Sequence, residues 1–249
     1  MNALGLEFYK CRRRKIFLVG LAFLAAQFLW IAVSLKRMDA ADLRQGWQWM
    51  LYYLAMIDSF MLPLTVSVIA SRNCEIEHKG STLKCLETLM TSGAIYGVKL
   101  AWGGLVLAAL VVLRTAVFLG VGYYEAFPGG IPYRAYAIFT AVSWLVSMMI
   151  YTLQQGLSLR FANQAVPLIV GLAGSFLGLM ALFFPSGVQR FLPWSYYGLF
   201  SQVIMQWDEA TRVSTFFWYT PQTTDKVCFV IWFLVFLVVG RTLFVRKEV

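Results

Sequence analysis

Apolar residues along this chain gather into long runs, and each run is bounded by short clusters of charged and turn-forming residues. Six of them, residues 16–35, 47–70, 98–121, 136–157, 164–184 and 226–245, are long enough to cross a hydrocarbon core of about 30 Å at about 1.5 Å per residue. The pattern predicts an all-α integral membrane protein, with six transmembrane helices forming one domain over residues 1–249. Three polar or mixed segments fall outside the spans: residues 1–15, residues 71–97 and residues 185–225. The first apolar run follows Lys10, Arg12, Arg13, Arg14 and Lys15 and continues for 20 residues. That is about twice the core of a cleaved leader, with no small-residue cleavage site after it, so it reads as a retained span. The fifth run contains Gly171, Gly174 and Gly178, and the last two make a small-xxx-small step that admits a neighbouring helix.

The most helix-like interruption is "CEIEHKGSTLKCLETLMTSG", residues 74–93. Leu83, Leu86 and Leu89 or Met90 recur at helical spacing, while Lys84, Glu87, Thr88 and Thr91 fall largely on other faces. Ser81 or Thr82 is positioned to cap this helix and Gly93 to stop it. Before it, Glu75 and Lys79 stand i, i+4, with Glu77 and His78 adding polarity, as if the second span projects past the bilayer. By physics alone the result is a short amphipathic helix lying on the membrane surface, either an interfacial anchor or a docking element.

Composition places the chain in the membrane class: 60% of its 249 residues are hydrophobic and 13% charged. The net charge of +9 reads as an orientation signal, because the basic residues flank apolar runs; nucleic acid is not an expected partner. Lys10, Arg12, Arg13, Arg14, Lys15, Arg72, Lys79, Lys84, Lys99, Arg160, Arg246 and Lys247 would share one side, twelve residues, against Lys36, Arg37, Arg44, Arg134, Arg190, Arg212 and Lys226, seven, on the other. Both termini and the 71–97 connection are therefore expected in the cytoplasm. The 185–225 segment is then external, and its many aromatic rings suit the membrane interface. Cys11, Cys74, Cys85 and Cys228 have no regular spacing and imply no disulfide framework.

The chain lacks the G-x-x-x-x-G-K-[ST] phosphate cradle, so any ATP-driven function needs a partner. Cys74, His78 and Cys85 lack a convincing fourth ligand and a CxxC pair, so no metal site is expected. No clustered nucleophile and base point to an intramembrane enzyme. Two charges lie well inside spans, away from their ends. Asp58 and Arg114 each cost about 2.5 to 3.5 kcal/mol at a helix centre when alone. Antiparallel neighbours would bring them to a similar depth, about 20 Å in, as a static bridge, as part of a transport path, or separately solvated.

Taken together, "CEIEH", "KGSTLKCLETLMTSG", "YGVKL", the basic "EFYKCRRRK", "LPWSYYGLF" and the tail "FVRKEV" resemble the ABC-2 type transporter permeases. The similarity is closest to the small permeases of lantibiotic-immunity and bacitracin-resistance exporters. The resemblance implies that Glu75, Glu77 and the 81–90 helix, with Ser81, Leu83, Leu86, Glu87 and Met90, contact a cytoplasmic ABC ATPase subunit present in two copies. ATP and Mg would bind to that subunit, and this chain would carry no cofactor. It also implies pairing with a second permease chain, the same or related, in a bacterial plasma membrane, and a substrate such as an amphipathic antimicrobial peptide. Trp194, Tyr196 and Tyr197 in the aromatic external segment would serve as interface anchors or substrate contacts. The competing reading, an ion-coupled secondary transporter, would call for several polar spans and an inverted repeat, neither of which is visible.

Overall fold

The computed structural model describes residues 3–12, 15–80, 82–210 and 212–246. Its elements run α1 (Ala3–Arg12), α2 (Ile16–Leu35), α3 (Ala40–Arg44), α4 (Gly46–Lys79), α5 (Leu83–Leu89), α6 (Ser92–Tyr124), α7 (Tyr133–Arg160), α8 (Ala165–Ala181), α9 (Ser186–Gln189), a 3-10 turn (Pro193–Ser195), α10 (Tyr196–Leu199), β1 (Val203–Asp208), β2 (Val213–Trp218) and α11 (Thr223–Val245).

Among the described residues, five helices, α2, α4, α6, α7 and α11, are long and apolar enough to cross a membrane. The fifth of the six expected spans is shorter than its apolar run. α8 stops at Ala181 after 17 residues, about 25 Å. The chain then turns through Leu182, Phe183 and Phe184 toward Pro185, whose ring disfavours helix in the residue before it. Apolarity continued past the point where the backbone could.

α4 is the hub. It touches α2, α6, α7 and α8, and its most apolar stretch is 72% buried, against 22% for α2 and for α11, which turn most of their apolar surface outward. Pro63 lies near its midpoint and, having no N–H, cannot bond the Ser59 carbonyl one turn back. Gly178 of α8 sits against that carbonyl, and Gly171 sits against Ser67; a Cβ at either position would collide. The expected small-residue face is therefore a contact with α4, although Gly174 admits the Trp194 indole and not a helix backbone.

The two ends of the bundle differ. At one, α1 lies against α6 and α5 bridges α4 to α6. At the other, the 185–225 segment is not a plain aromatic loop: β1 and β2 pair antiparallel from Val203↔Trp218 to Asp208↔Val213, a departure from the all-α expectation. β-Branched and aromatic residues in "VIMQWD" and "VSTFFW" favour the pleat. The hairpin is fastened to the α3–α4 junction by a two-way clamp. Gln45 Nε2 donates to the Phe216 carbonyl at 3.2 Å, and Phe216 N–H donates to Gln45 Oε1 at 2.9 Å.

Candidate functional site

At the α1 end, short polar side chains and buried charges from five segments meet. Glu7 and Lys10 come from α1, Asn73 and Glu77 from α4, Thr82 from the turn before α5, Lys99 from α6 and Tyr151 from α7. Lys99 Nζ reaches Glu7 Oε2 at 2.9 Å and Glu77 Oε1 at 3.0 Å, and also donates to the Asn73 carbonyl at 3.2 Å. Lys10 Nζ donates to Glu77 Oε1 at 2.8 Å and lies 3.5 Å from Glu7 Oε1. Asn73 Nδ2 donates to the Tyr151 hydroxyl at 2.9 Å, and the Cys11 thiol donates to Asn73 Oδ1 at 3.3 Å. The Thr82 hydroxyl completes the Glu77 carboxylate.

Two ammonium groups and two carboxylates balance within this lattice, the arrangement that makes burial of charge tolerable. Glu77 and Lys99 are fully buried, and Glu7 is nearly so. Burial, reinforced by the neighbouring Glu7 carboxylate, pushes the Cys11 thiol up to about 11, which leaves it a neutral packing group. Glu75 and Glu77, which the resemblance sets together against the ATPase, point different ways. α4 continues to Lys79, so Glu75 points outward into an i, i+4 pair with Lys79 at 2.7 Å, while Glu77, two positions on, turns inward.

α5 is shorter than expected. Met90 is already extended, and Gly93 belongs to α6, whose cap is Thr91, accepting from Ala94 N–H at 3.3 Å. Ser81 lies outside the described residues, and Thr82 makes no capping bond because its hydroxyl is on Glu77. Leu83 is buried with Cys74, Ile95, Tyr96, Leu159 and Phe244. Leu86 and Met90 are half-buried, and Ser92 Oγ donates to Glu87 Oε1 at 3.0 Å. Lys84, Cys85, Thr88 and Leu89 face outward, Leu89 with 76% of its surface exposed. Cys74, His78 and Cys85 are separated: Cys74 is buried, the His78 ring is 2.9 Å from the Ser158 carbonyl, and Cys85 is exposed.

A second buried polar group lies at the middle of the bundle. The Arg114 guanidinium is ion-paired with Asp58 and donates to Ser143 Oγ at 3.2 Å, while Gln27 Nε2 donates to the other Asp58 oxygen at 3.2 Å. The guanidinium carbon also lies 5.0 Å from the centre of the Phe139 ring. The pair ties α2, α4, α6 and α7 together.

A family described as ABC-2 family transporter protein matches residues 3–178, more than two thirds of the chain. The chain belongs to the ABC-2 transporter family. No curated protein matches it. As an ABC-2 permease it is a multi-pass membrane transport subunit and works with an ABC ATPase subunit. The match spans α1 to α8 and so includes the charge lattice, α5 and the Asp58–Arg114 pair.

At the hairpin end of the permease, the three aromatic residues singled out in the sequence are drawn inward. Tyr196 and Tyr197 are buried. The Tyr196 hydroxyl donates to the Arg190 carbonyl at 2.8 Å, and that of Tyr197 is 2.9 Å from Ser147 Oγ on α7. Half-buried Trp194 covers Gly174 and packs edge-on against Phe236. The rings open to the surroundings are others: Phe191, Trp207, Phe217 and Trp218. The sequence pattern gave Lys10 and Lys99 a part only in orientation, and Glu7 and Asn73 none. The available signals were the Glu7/Lys10 spacing, which places both on one helical face, and Lys99 as a cation at the start of an apolar run.

Proposed function

We propose that this permease is the membrane subunit of an exporter that removes an amphipathic, lipid-active compound, of the lantibiotic-like peptide class, from the membrane. The work comes from a separate ATPase that holds ATP and Mg. In this reading the α1 end faces the cytoplasm of a bacterium, in keeping with the excess of lysine and arginine there. Two permease chains, the same or related, act as a pair with two ATPase copies.

The observation that carries the proposal is the tethering of α5. Its inner face is packed against the ends of α4, α6, α7 and α11, its preceding turn is bonded to Glu77, and its outer face is free for a partner. A push on that face is delivered directly to the helix that runs the length of the bundle. Reversing the chemistry of the face with Lys84→Glu and Leu89→Asp should abolish co-purification of the ATPase and reduce peptide resistance at least tenfold, while membrane insertion stays normal. Undiminished co-purification and resistance in that variant would remove the docking assignment. Loss of ATPase co-purification with resistance to every amphipathic peptide unchanged would keep the docking assignment and refute the substrate class.

A further inference from the structure

A groove of about 450 Å³ opens where the α1–α2 corner meets α6. Its walls are apolar, formed by Phe8, Ile16, Leu18, Trp102, Leu105 and Ala109, and among the described residues lining it the charged side chain is Lys15. Leu18 and Leu105 are more than half exposed, so the groove opens on the side of the bundle that meets lipid tails. Lys15 immediately precedes the first residue of α2 and is itself exposed. It therefore stands where hydrocarbon gives way to headgroups. In the sequence it closes a stretch, Lys10 to Lys15, in which five of six residues are basic.

We infer that this groove is a binding site for an anionic phospholipid, with one acyl chain along Leu18, Leu105 and Ala109 and the phosphate at Lys15. Charge decides the occupant. A zwitterionic lipid satisfies the apolar walls but gains little from the basic mouth, whereas an anionic headgroup satisfies both. A second copy of the chain seated by two-fold symmetry would bring a second Lys15 to the same mouth. The site has a structural consequence, because its wall includes Phe8, which packs edge-on to Trp102 at 5.7 Å, and Cys11. Both belong to the helix that carries Glu7 and Lys10. A bound lipid would brace α1 against α6 and, through it, the charge lattice.

Trp102 supplies the readout. The full-length protein is placed in nanodiscs of phosphatidylcholine containing equal mole fractions of acyl-brominated phosphatidylglycerol or acyl-brominated phosphatidylcholine, and the quenching lost in Trp102→Phe is assigned to Trp102. Half-quenching should require about fivefold less of the brominated anionic lipid than of the zwitterionic one, the effect of one basic residue at an anionic surface. Lys15→Gln should erase that preference, and Ala109→Phe should reduce quenching by both lipids by filling the groove. Equal quenching by the two lipids, or an unchanged preference in Lys15→Gln, would mean ordinary boundary lipid and overturn the assignment. Protection of Trp102 that grows with protein cross-linking would do the same in favour of a second copy.

Discussion

Glu75 and Glu77 are two positions apart and have opposite fates. Glu75 is part of an exposed pair with Lys79, worth at most about 0.5 kcal/mol. Glu77 holds two ammonium groups in a buried setting, where removing one partner costs about 3 to 5 kcal/mol. Glu75→Ala should leave the unfolding midpoint in detergent unchanged, whereas Glu77→Ala should lower it sharply and deplete the protein from the membrane; equal stability of the two variants would show the lattice to be slack. The same reasoning applies to Asp58 and Arg114. Asp58→Asn or Arg114→Gln alone strands a charge, and the double variant should recover about 0.5 to 3 kcal/mol of the summed loss. A double-mutant cycle on assembly or thermal stability measures the coupling, and strict additivity would deny the pair any energetic link.

At the scale of elements, apolar run length was enough to place α2, α4, α6, α7 and α11, because the bilayer demands internal satisfaction of every backbone bond and only long helices supply it. It was not enough for α8, where a proline ended the helix before the apolarity ended, or for the hairpin, whose strands are each only 6 residues long and sit among aromatics that read equally as an interface loop. Periodicity found α5 but could not tell which neighbouring charge turned inward: that depended on α4 staying helical to Lys79. Asp58 and Arg114 were legible as a pair because charges inside spans are rare; Glu7 and Lys10 were not, because charges before a span are ordinary. The α8–α4 contact offers an element-scale test. Gly178→Val drives a branched side chain against the Ser59 and Trp194 carbonyls, and overpacking of this kind costs about 1 to 3 kcal/mol. Thermal stability should fall accordingly, while Gly187→Val, with open space around it, should be silent.

For the whole molecule, the proposed orientation has a direct check. Cys85 is exposed on α5, whereas Cys11 and Cys74 are buried. With Cys228→Ser as background, a membrane-impermeant maleimide should label Cys85 only in permeabilised cells, and Glu209→Cys, an exposed residue just past β1, in intact ones; the reverse pattern would invert the topology. α4 joins the two ends directly. α4 is 34 residues long with Pro63 near its centre, about 50 Å from tip to tip, so it overhangs the hydrocarbon core at either side. Mechanically this is a lever. Its soft point is the step where one backbone bond is missing, and α8 leans on that step through Gly178. Under the proposed function, force on the Glu77 arm would reach the hairpin arm as a swing about that fulcrum, larger in displacement than at the soft point itself, and it would carry Asp58, with its bonds to Arg114 and Gln27, along the way.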